Sequence, residues 1–309
     1  MRFTLIYNPV SGPGAGPRVA TRAGELLARE GHLPELAATG DGVDAAILAR
    51  RASEAGADRV IAIGGDGTIA EVAAGLLDAG RRVPLAILPH GTANVLALNL
   101  GIGRGLARAV RTAIDGEVVP IDVGRVDGGI FLISVGTGLH AEMVARADRE
   151  LKRRWGVAAY GVAGWSAQRA GSPVRYRVAC DGEIQEVEAT MIQVMNCGAI
   201  FRPRWELGSG ISPVDGFLDV LAYRASTVPQ YVAAAAHVVR GSPTATDLVD
   251  HRRGKRVRIE ADRSVGLQRD GESAGGTPAE IELLPRALPV VMPAGGPWVR
   301  RPGMIPAAR

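Results

Sequence analysis

Three glycines surround an aspartate in the loop Gly64-Gly65-Asp66-Gly67-Thr68, which is the strongest chemical signal in the sequence. The apolar run at residues 60–63 predicts a buried parallel strand, and the apolar spacing from Ile69 predicts a helix. Such a turn exposes backbone N–H groups at the positive end of a helix dipole, which predicts a phosphate site. The aspartate would repel phosphate unless a cation or proton lies between them, which favours an accompanying metal. The alternative is a plain turn in which Thr68 and Glu71 form a capping box.

Three more polar loops follow predicted strands in the first half of the chain. The strands at residues 3–7, 35–38 and 85–88 precede the loops Asn8-Pro9-Val10-Ser11-Gly12-Pro13-Gly14, Thr39-Gly40-Asp41-Gly42 and Pro89-His90-Gly91-Thr92-Ala93-Asn94. A helical pattern follows each loop. Four strand-loop-helix units in succession predict an α/β fold with a doubly wound parallel sheet. The loops of such a sheet meet at its carboxyl edge, where ligands bind.

The pattern changes near Val118, where strand-like runs come in pairs. Asp-Gly pairs, which favour two-residue hairpin turns, occur four times: Asp127-Gly128, Asp181-Gly182, Asp215-Gly216 and Asp270-Gly271. The runs predict an antiparallel β-sandwich with strands at residues 118–126, 130–135, 174–180, 184–194, 218–223, 257–261, 265–269 and 279–284. Helices are predicted at residues 141–169 and 228–239.

These patterns predict two domains, a nucleotide-binding α/β domain at residues 1–120 and a β-sandwich domain at residues 121–288. The tail, residues 289–309, is rich in proline. We expect it to pack back on the first domain or to fray.

Composition excludes several classes of protein. The net charge is +4, but aromatic residues make up 4% of the chain and the arginines are scattered, which argues against a nucleic-acid groove. The only lysines, Lys152 and Lys255, lie outside any G-x-x-x-x-G-K-[ST] motif, which excludes a Walker A loop. Cys180 and Cys197 lack metal-ligand spacing and suit a reducing compartment. No apolar run approaches the roughly 18 residues of a membrane span, and the N-terminus is typical of a strand rather than a signal peptide. A cytoplasmic location is therefore predicted.

Four motifs together resemble the diacylglycerol kinase catalytic-domain family, which includes bacterial soluble lipid kinases and sphingosine kinases. In order, they are Ile6-Tyr7-Asn8-Pro9, Gly64-Gly65-Asp66-Gly67-Thr68, Pro89-His90-Gly91-Thr92-Ala93-Asn94 and Asp270-Gly271-Glu272. The resemblance covers nearly the whole chain. It implies an N-terminal domain like that of NAD kinases and diacylglycerol kinases, a C-terminal β-sandwich, and ATP bound between them.

The resemblance also implies roles for individual residues. Glu272 would accept the proton of the acceptor hydroxyl, with Asp270 beside it. The alternative for Asp270-Gly271 is a simple hairpin turn. The implied contacts to ATP are Asn8, Pro9, Val10, Ser11, Gly12, Thr39, Gly64, Gly65, Asp66, Gly67, Thr68, Gly91, Thr92 and Asn94.

A magnesium site and an acidic network are likewise implied by the resemblance. Asp215 would hold Mg²⁺ with backbone oxygens near Ser212 and Phe217, since this cation prefers oxygen ligands. Asp122 and Asp66 would join the site through water. For Asp122 and Asp215, an ordinary acid at a strand end or hairpin is the alternative.

The chain departs from the family pattern at two places. Val95 stands where many bacterial members have an aspartate, and Gly138-Leu139-His140-Ala141 stands where they have Gly-Phe-Asp-Ala. His140 is either a substrate contact or a partnered histidine at a strand end. Glu142 is similar in position to an acid that recognises the lipid head group in sphingosine kinases. These departures bear on the choice of lipid.

A lipid acceptor must be reached at a membrane surface, so the protein is expected to be cytoplasmic and peripheral at the inner membrane face. Residues 146–165 carry five basic side chains and three aromatic ones, which suit either an anionic membrane interface or a solvated helix with its aromatics in the core. A second basic run, residues 251–256, is either a further part of such an interface or only a charged loop.

The sequence thus predicts an ATP- and Mg²⁺-dependent lipid kinase that phosphorylates the primary hydroxyl of a diacylglycerol-like lipid. The alternatives are an NAD or sugar kinase that shares the Gly64–Thr68 loop, and a non-catalytic nucleotide- or lipid-binding protein. The head group and acyl chains of the acceptor stay open. So does the oligomeric state, for which a homodimer is one option.

Overall fold

The computed structural model describes residues 1–10, 15–40, 42–138, 173–199, 205–242, 244 and 246–299. The chain divides into two compact units. Unit 1 consists of Met1–Ile121 and the described residues from Arg286 onward, and unit 2 is Asp122–Pro285. Among the described residues, no helix has the length and apolar character needed to cross a membrane.

Unit 1 alternates strands and helices. Its elements are β1 (Arg2–Tyr7), α1 (Gly16–Arg29), β2 (Leu33–Ala38), α2 (Ala45–Glu54), β3 (Arg59–Gly64), α3 (Asp66–Asp78), β4 (Leu85–Pro89), α4 (Val95–Asn99) and α5 (Leu106–Asp115). The strand order is β2-β1-β3-β4, with all three pairings parallel. The end of the last strand of the chain adds to this sheet, since Val290 lies opposite Leu85 in parallel register.

The unit 1 sheet is held by apolar side chains on both of its faces. Strand β3 is buried along nearly its whole length, and Ile61 and Ile63 have no exposed surface. Such continuous apolar runs are typical of parallel strands covered by helices on both sides. Helix α1 contributes Ala20, Ala23 and Leu27 to the same core. The predicted α/β class with a parallel sheet is confirmed.

Unit 2 is built mainly from antiparallel strands. Its elements are β5 (Glu117–Val126), β6 (Gly129–Phe131), β7 (Ser134–Gly138), β8 (Val174–Cys180), β9 (Glu183–Ala189), β10 (Met191–Met195), β11 (Leu218–Tyr223), α6 (Val228–Val239), β12 (Val249–Gly254), β13 (Arg256–Ala261), β14 (Gly266–Arg269), β15 (Glu272–Gly276) and β16 (Ala279–Met292). The chain enters unit 2 within β5 and leaves it within β16.

Two sheets form unit 2. One has the order β16-β13-β8-β9, with β5 beside β16 and β6 beside β5. The other has the order β12-β11-β10-β7-β14-β15. The larger of the two apolar clusters among the described residues of unit 2 takes Tyr176 and Ile259 from the first sheet and Val194 and Leu267 from the second. The predicted antiparallel sandwich is therefore confirmed.

Several predicted strands differ from the observed ones. The run at 184–194 is two strands, broken at Thr190, whose hydroxyl donates to the carbonyls of Tyr223 and Ala225 at 3.1 and 2.9 Å. The run at 130–135 is likewise broken, at Leu132 and Ile133. Strand β16 continues to Met292 instead of ending at residue 284.

Two strands, β12 and β15, were not predicted. Most of the basic run at 251–256 lies in β12, so the charged-loop alternative is wrong. Three of the four Asp-Gly pairs are hairpin turns, with φ near +47° to +49° at each aspartate. Asp215-Gly216 is not such a turn, because it leads directly into β11 and follows no strand. The helix predicted at 141–169 lies outside the described residues.

Candidate active site

Helix α3 starts three residues earlier than the capping-box alternative requires, because that alternative needs Thr68 as the N-cap. Its N-cap is Gly65, in extended conformation, and no side chain caps it. Thr68 lies inside the first turn and packs over Gly64, where an added Cβ would come within 2.7 Å of the Thr68 Cβ. The first intrahelical bond is donated by Ile69 to Gly65. The N–H groups of residues 66–68 are therefore left by the helix itself for an external acceptor.

The Asp66 carboxylate is directed to backbone amides of another helix. It accepts hydrogen bonds from the N–H groups of Val95 and Leu96, both at 3.0 Å, and so caps the N-terminus of α4. The negative charge is thus partly balanced by two amide donors, which weakens its repulsion of an anion at α3. The Val95 departure leaves this contact intact, because the donor is the backbone. The place of Asp66 in a metal-linked network stays a prediction.

The loop after β4 packs directly against the loop after β3. The His90 N–H donates to the Gly64 carbonyl at 2.8 Å, and a Cβ added to Gly91 would lie 2.5 Å from the Gly65 Cα. Only glycine permits that backbone approach. Asn94, 3% exposed and left-handed at φ 52°, closes the loop by bonding both the N–H and the carbonyl of Gly91, at 2.8 and 2.7 Å. Its amide therefore shapes the loop.

Thr92 lies exposed at the tip of the same loop. Arg104 donates to the carbonyls of Thr92 and Ala93 at 3.1 and 3.2 Å, which brings a guanidinium to this loop. No sequence pattern marks Arg104, because nothing distinguishes it from the many other arginines of the chain. It brings a positive charge to a loop that has no Walker lysine.

The remaining predicted nucleotide contacts follow β1 and β2. The Asn8 side chain accepts from the Val10 N–H at 2.9 Å, and the Thr39 N–H donates to the Tyr7 carbonyl at 2.9 Å. Because β1, β2, β3 and β4 are parallel neighbours, all four loops lie at one edge of the sheet. Ser11 and Gly12 lie outside the described residues, and Pro9 makes no hydrogen bond that bears on the site.

Replacement of Asp66 by Asn should loosen α4. The amide side chain keeps one acceptor oxygen but presents an NH₂ group to a second N–H, so we expect the free energy of unfolding to fall by about 1–2 kcal/mol. Amide hydrogen exchange at Val95 and Leu96 should become faster. Asp78→Asn, an exposed change in the same helix, is the control. Unchanged exchange together with an altered magnesium requirement would support the acidic network instead.

In unit 2, the Asp270 carboxylate is an anchor for backbone. It accepts from the N–H groups of Leu132, Ile133 and Ser134 at 2.8, 2.9 and 2.9 Å. The Asp270 N–H donates to the Ser134 carbonyl at 2.9 Å. These bonds occupy the break between β6 and β7. We call β14, β15 and their turn the Asp-Gly-Glu hairpin; Asp270 fixes its position.

Glu272 lies two residues further, at the start of β15, and is exposed. Its carboxylate forms no hydrogen bond or ion pair with the residues that the structure describes. The two acids of the motif therefore differ in environment: Asp270 is occupied by three donors, and Glu272 can accept a proton from a bound molecule. Both catalytic roles stay predictions.

Residues 212–217, which we call the acidic loop, lie next to Asp122. Asp122 is fully buried; its N–H donates to the Pro213 carbonyl and its carboxylate accepts from the Gly216 N–H, both at 2.7 Å. The structure thus brings Asp122 together with the predicted metal residues. Ser212 accepts from the Val214 N–H at 3.3 Å.

Asp215, the predicted carboxylate ligand, already has partners. It accepts from the Phe217 N–H at 3.1 Å and forms an ion pair with Arg253. Burial raises the pKa of the Asp215 carboxyl, although Arg253 acts in the opposite direction. No group of three or more His, Cys, Asp or Glu side chains within the described ranges is placed to hold a metal ion. The predicted site uses one carboxylate, and in the structure that carboxylate is paired with Arg253 and does not fit a divalent cation in this arrangement. The metal roles of Ser212, Asp215 and Phe217 stay predictions.

A buried asparagine links the two parts of the unit 2 site. Asn196 has no exposed surface, and its NH₂ group donates to the carbonyls of Asp122 and Leu132, both at 2.9 Å. The first carbonyl belongs to the residue that holds the acidic loop, and the second to the bend that Asp270 holds. No sequence pattern indicated this residue. His140, Glu142 and the basic segment at 146–165 lie outside the described residues.

Comparison with known proteins gives two domain matches. The diacylglycerol kinase catalytic domain model matches residues 2–126, and the YegS C-terminal NAD kinase beta sandwich-like domain model matches residues 133–292. The chain is 30% identical over 295 residues to a diacylglycerol kinase of Bacillus subtilis (strain 168), with 94% of this chain and 96% of the relative covered. It is 30% identical over 292 residues to a probable lipid kinase, YegS-like, of Klebsiella pneumoniae (strain 342), with 94% and 97% covered.

A solved structure is also similar. The chain superimposes on a diacylglycerol kinase crystal structure from Bacillus anthracis str. Sterne with a TM-score of 0.79 and 25% sequence identity. The match covers 95% of this chain and 98% of the other. Both units therefore have counterparts in one solved protein.

Proposed function

Because this chain belongs to the diacylglycerol kinase catalytic-domain family, we propose that it transfers the γ-phosphoryl group of ATP to the primary hydroxyl of a diacylglycerol-like lipid. The observation that carries the proposal is the exposed Glu272 carboxylate on a hairpin that Asp270 fixes through three amide bonds. A base that must meet an incoming hydroxyl needs a fixed backbone and an unoccupied carboxylate.

In this proposal, unit 1 holds the nucleotide. The N–H groups of residues 66–68 and the hydroxyl of Thr92 contact the phosphates, while Arg104 adds positive charge beside Thr92. These groups replace the lysine of a Walker loop. The further contacts proposed for ATP are the loop residues that the family pattern predicts, from Asn8 to Gly12 and at Thr39.

The chemical step is an in-line displacement. Glu272 accepts the proton of the lipid hydroxyl, the hydroxyl oxygen bonds to the γ-phosphorus, and the bond from that phosphorus to the β,γ-bridging oxygen breaks to release ADP. Mg²⁺ enters as part of the nucleotide substrate and neutralises phosphate charge. The acceptor is taken from a membrane surface, so the protein would act peripherally at the cytoplasmic face.

A labelling experiment tests this function. Purified protein is incubated with γ-labelled ATP and Mg²⁺. Separate reactions contain diacylglycerol vesicles, sphingoid-base vesicles, dissolved NAD or dissolved sugars, and the labelled product is identified by chromatography. We expect label in a glycerolipid. Label in NAD or a sugar would contradict the proposal, and label in no acceptor would favour the non-catalytic alternative.

A further inference from the structure

One arginine lies between two carboxylates where strands β11 and β12 meet the acidic loop. Arg253 of β12 is directly opposite Asp219 of β11 in the sheet register. Its Nε lies 3.3 Å from the Asp219 carboxylate, and its terminal nitrogen pairs with Asp215. The guanidinium therefore bridges the acidic loop and the strand that follows it.

The buried member of this cluster needs a cation. Asp219 has no exposed surface, and an ionised carboxylate at such a site is costly unless it is paired. Besides Arg253, it is contacted by His251, whose Nε2 lies 2.6 Å from the same carboxylate oxygen. Arg253 thus supplies a permanent positive charge to Asp219, whereas the charge of His251 depends on protonation.

The Phe217 ring of the acidic loop also lies against the Arg253 guanidinium. The Cζ of Arg253 lies 4.8 Å from the centre of the Phe217 ring, within the range of a cation–π contact. Lys255 approaches the same ring, with its ammonium nitrogen 5.3 Å from the centre. The Phe217 ring and the two carboxylates are thus all arranged around Arg253.

A divalent cation on Asp215 would have to displace this arrangement. It would repel the guanidinium and separate it from Asp215 and from buried Asp219. We propose that Arg253 is the resident cation of the acidic loop in this chain, so that the loop folds around a guanidinium where the family pattern implies Mg²⁺. Magnesium is then required with the nucleotide and not for the fold of unit 2.

Thermal unfolding without nucleotide or lipid tests the inference, so its outcome is independent of the kinase assay. We expect the wild-type protein to unfold at the same Tm in excess EDTA and in millimolar Mg²⁺. Arg253→Met should lower Tm by about 5 °C or more, because it leaves the buried carboxylate short of a partner. Mg²⁺ should restore part of that loss, since the vacated position lies between two carboxylates.

Two further variants sharpen the test. Arg252→Met removes the neighbouring arginine, whose ion pair with exposed Glu183 is 4.0 Å long, and should change Tm by less than about 1 °C. If Arg253→Met does not fold, Arg253→Lys keeps the charge and should show a smaller loss with no response to Mg²⁺. A Mg²⁺-dependent rise in the wild-type Tm that Asp215→Asn abolishes would overturn the inference. So would an Arg253→Met protein with unchanged Tm or with no response to Mg²⁺.

Discussion

Glu272→Gln should lower lipid phosphorylation by about 10²-fold or more, while Tm stays unchanged. The variant keeps the size and hydrogen-bonding reach of the side chain but cannot accept the hydroxyl proton. Stability should not change, because the Glu272 carboxylate is exposed and makes no contact with the described residues that the substitution could break. The measurement is kcat with saturating ATP and lipid, alongside thermal unfolding.

Glu188→Gln provides the matched control for this change. Glu188 is another exposed carboxylate, on β9 of the same unit, and the proposed mechanism does not use it. Its substitution should leave kcat within about twofold of the wild-type value. Full turnover in Glu272→Gln would remove Glu272 from the role of base and leave family membership unaffected.

Asp270→Asn should lower the free energy of unfolding by about 2–4 kcal/mol. One carbonyl oxygen must replace two carboxylate oxygens that now accept from Leu132, Ile133 and Ser134, so at least one buried N–H loses its partner. The new NH₂ group also faces donors. Chemical denaturation, followed by intrinsic fluorescence, measures the loss.

Asp127→Asn is the control that distinguishes loss of the Asp270 carboxylate contacts from a change in turn geometry. Asp127 and Asp270 share the same turn sequence and the same φ of +47°, and asparagine tolerates that conformation as well as aspartate does. The Asp127 carboxylate makes no such set of amide bonds within the described ranges. Equal stability losses in the two variants would mean that the turn, and not the carboxylate anchor, is responsible.

The strands that sequence patterns missed are the two edges of one sheet. β12 and β15 end the order β12-β11-β10-β7-β14-β15, so each has a neighbour on one side only. Edge strands tolerate charged and small residues. The arginines of β12 and the glycines of β15 interrupt the apolar pattern by which a strand is predicted, so these two strands were missed. The inner strands carry the buried apolar side chains on which pattern recognition depends.

The candidate site likewise has parts that the sequence predicts and parts that it does not. Glycine-rich loops after parallel strands were predictable, because glycine and strand order leave a local signal. The hydrogen-bond and ion-pair partners of Asp66 and Asp215 were not predictable. Asp66 binds amides about thirty residues away, and every residue except proline carries such an N–H. The pairing of Asp215 with Arg253 depends on the register of β11 and β12, which no local pattern specifies.

The two buried hydrogen bonds of Asn196 limit how unit 2 can change in evolution. Its single amide group holds the carbonyl of Asp122, which orders the acidic loop, and that of Leu132, which Asp270 orders from the other side. Movement of either segment would shift the side chain that also bonds the other, so we expect mutations in the two segments to be energetically coupled despite their separation along the chain. Substitutions in either segment must therefore preserve both ends of the link, or occur in both segments together.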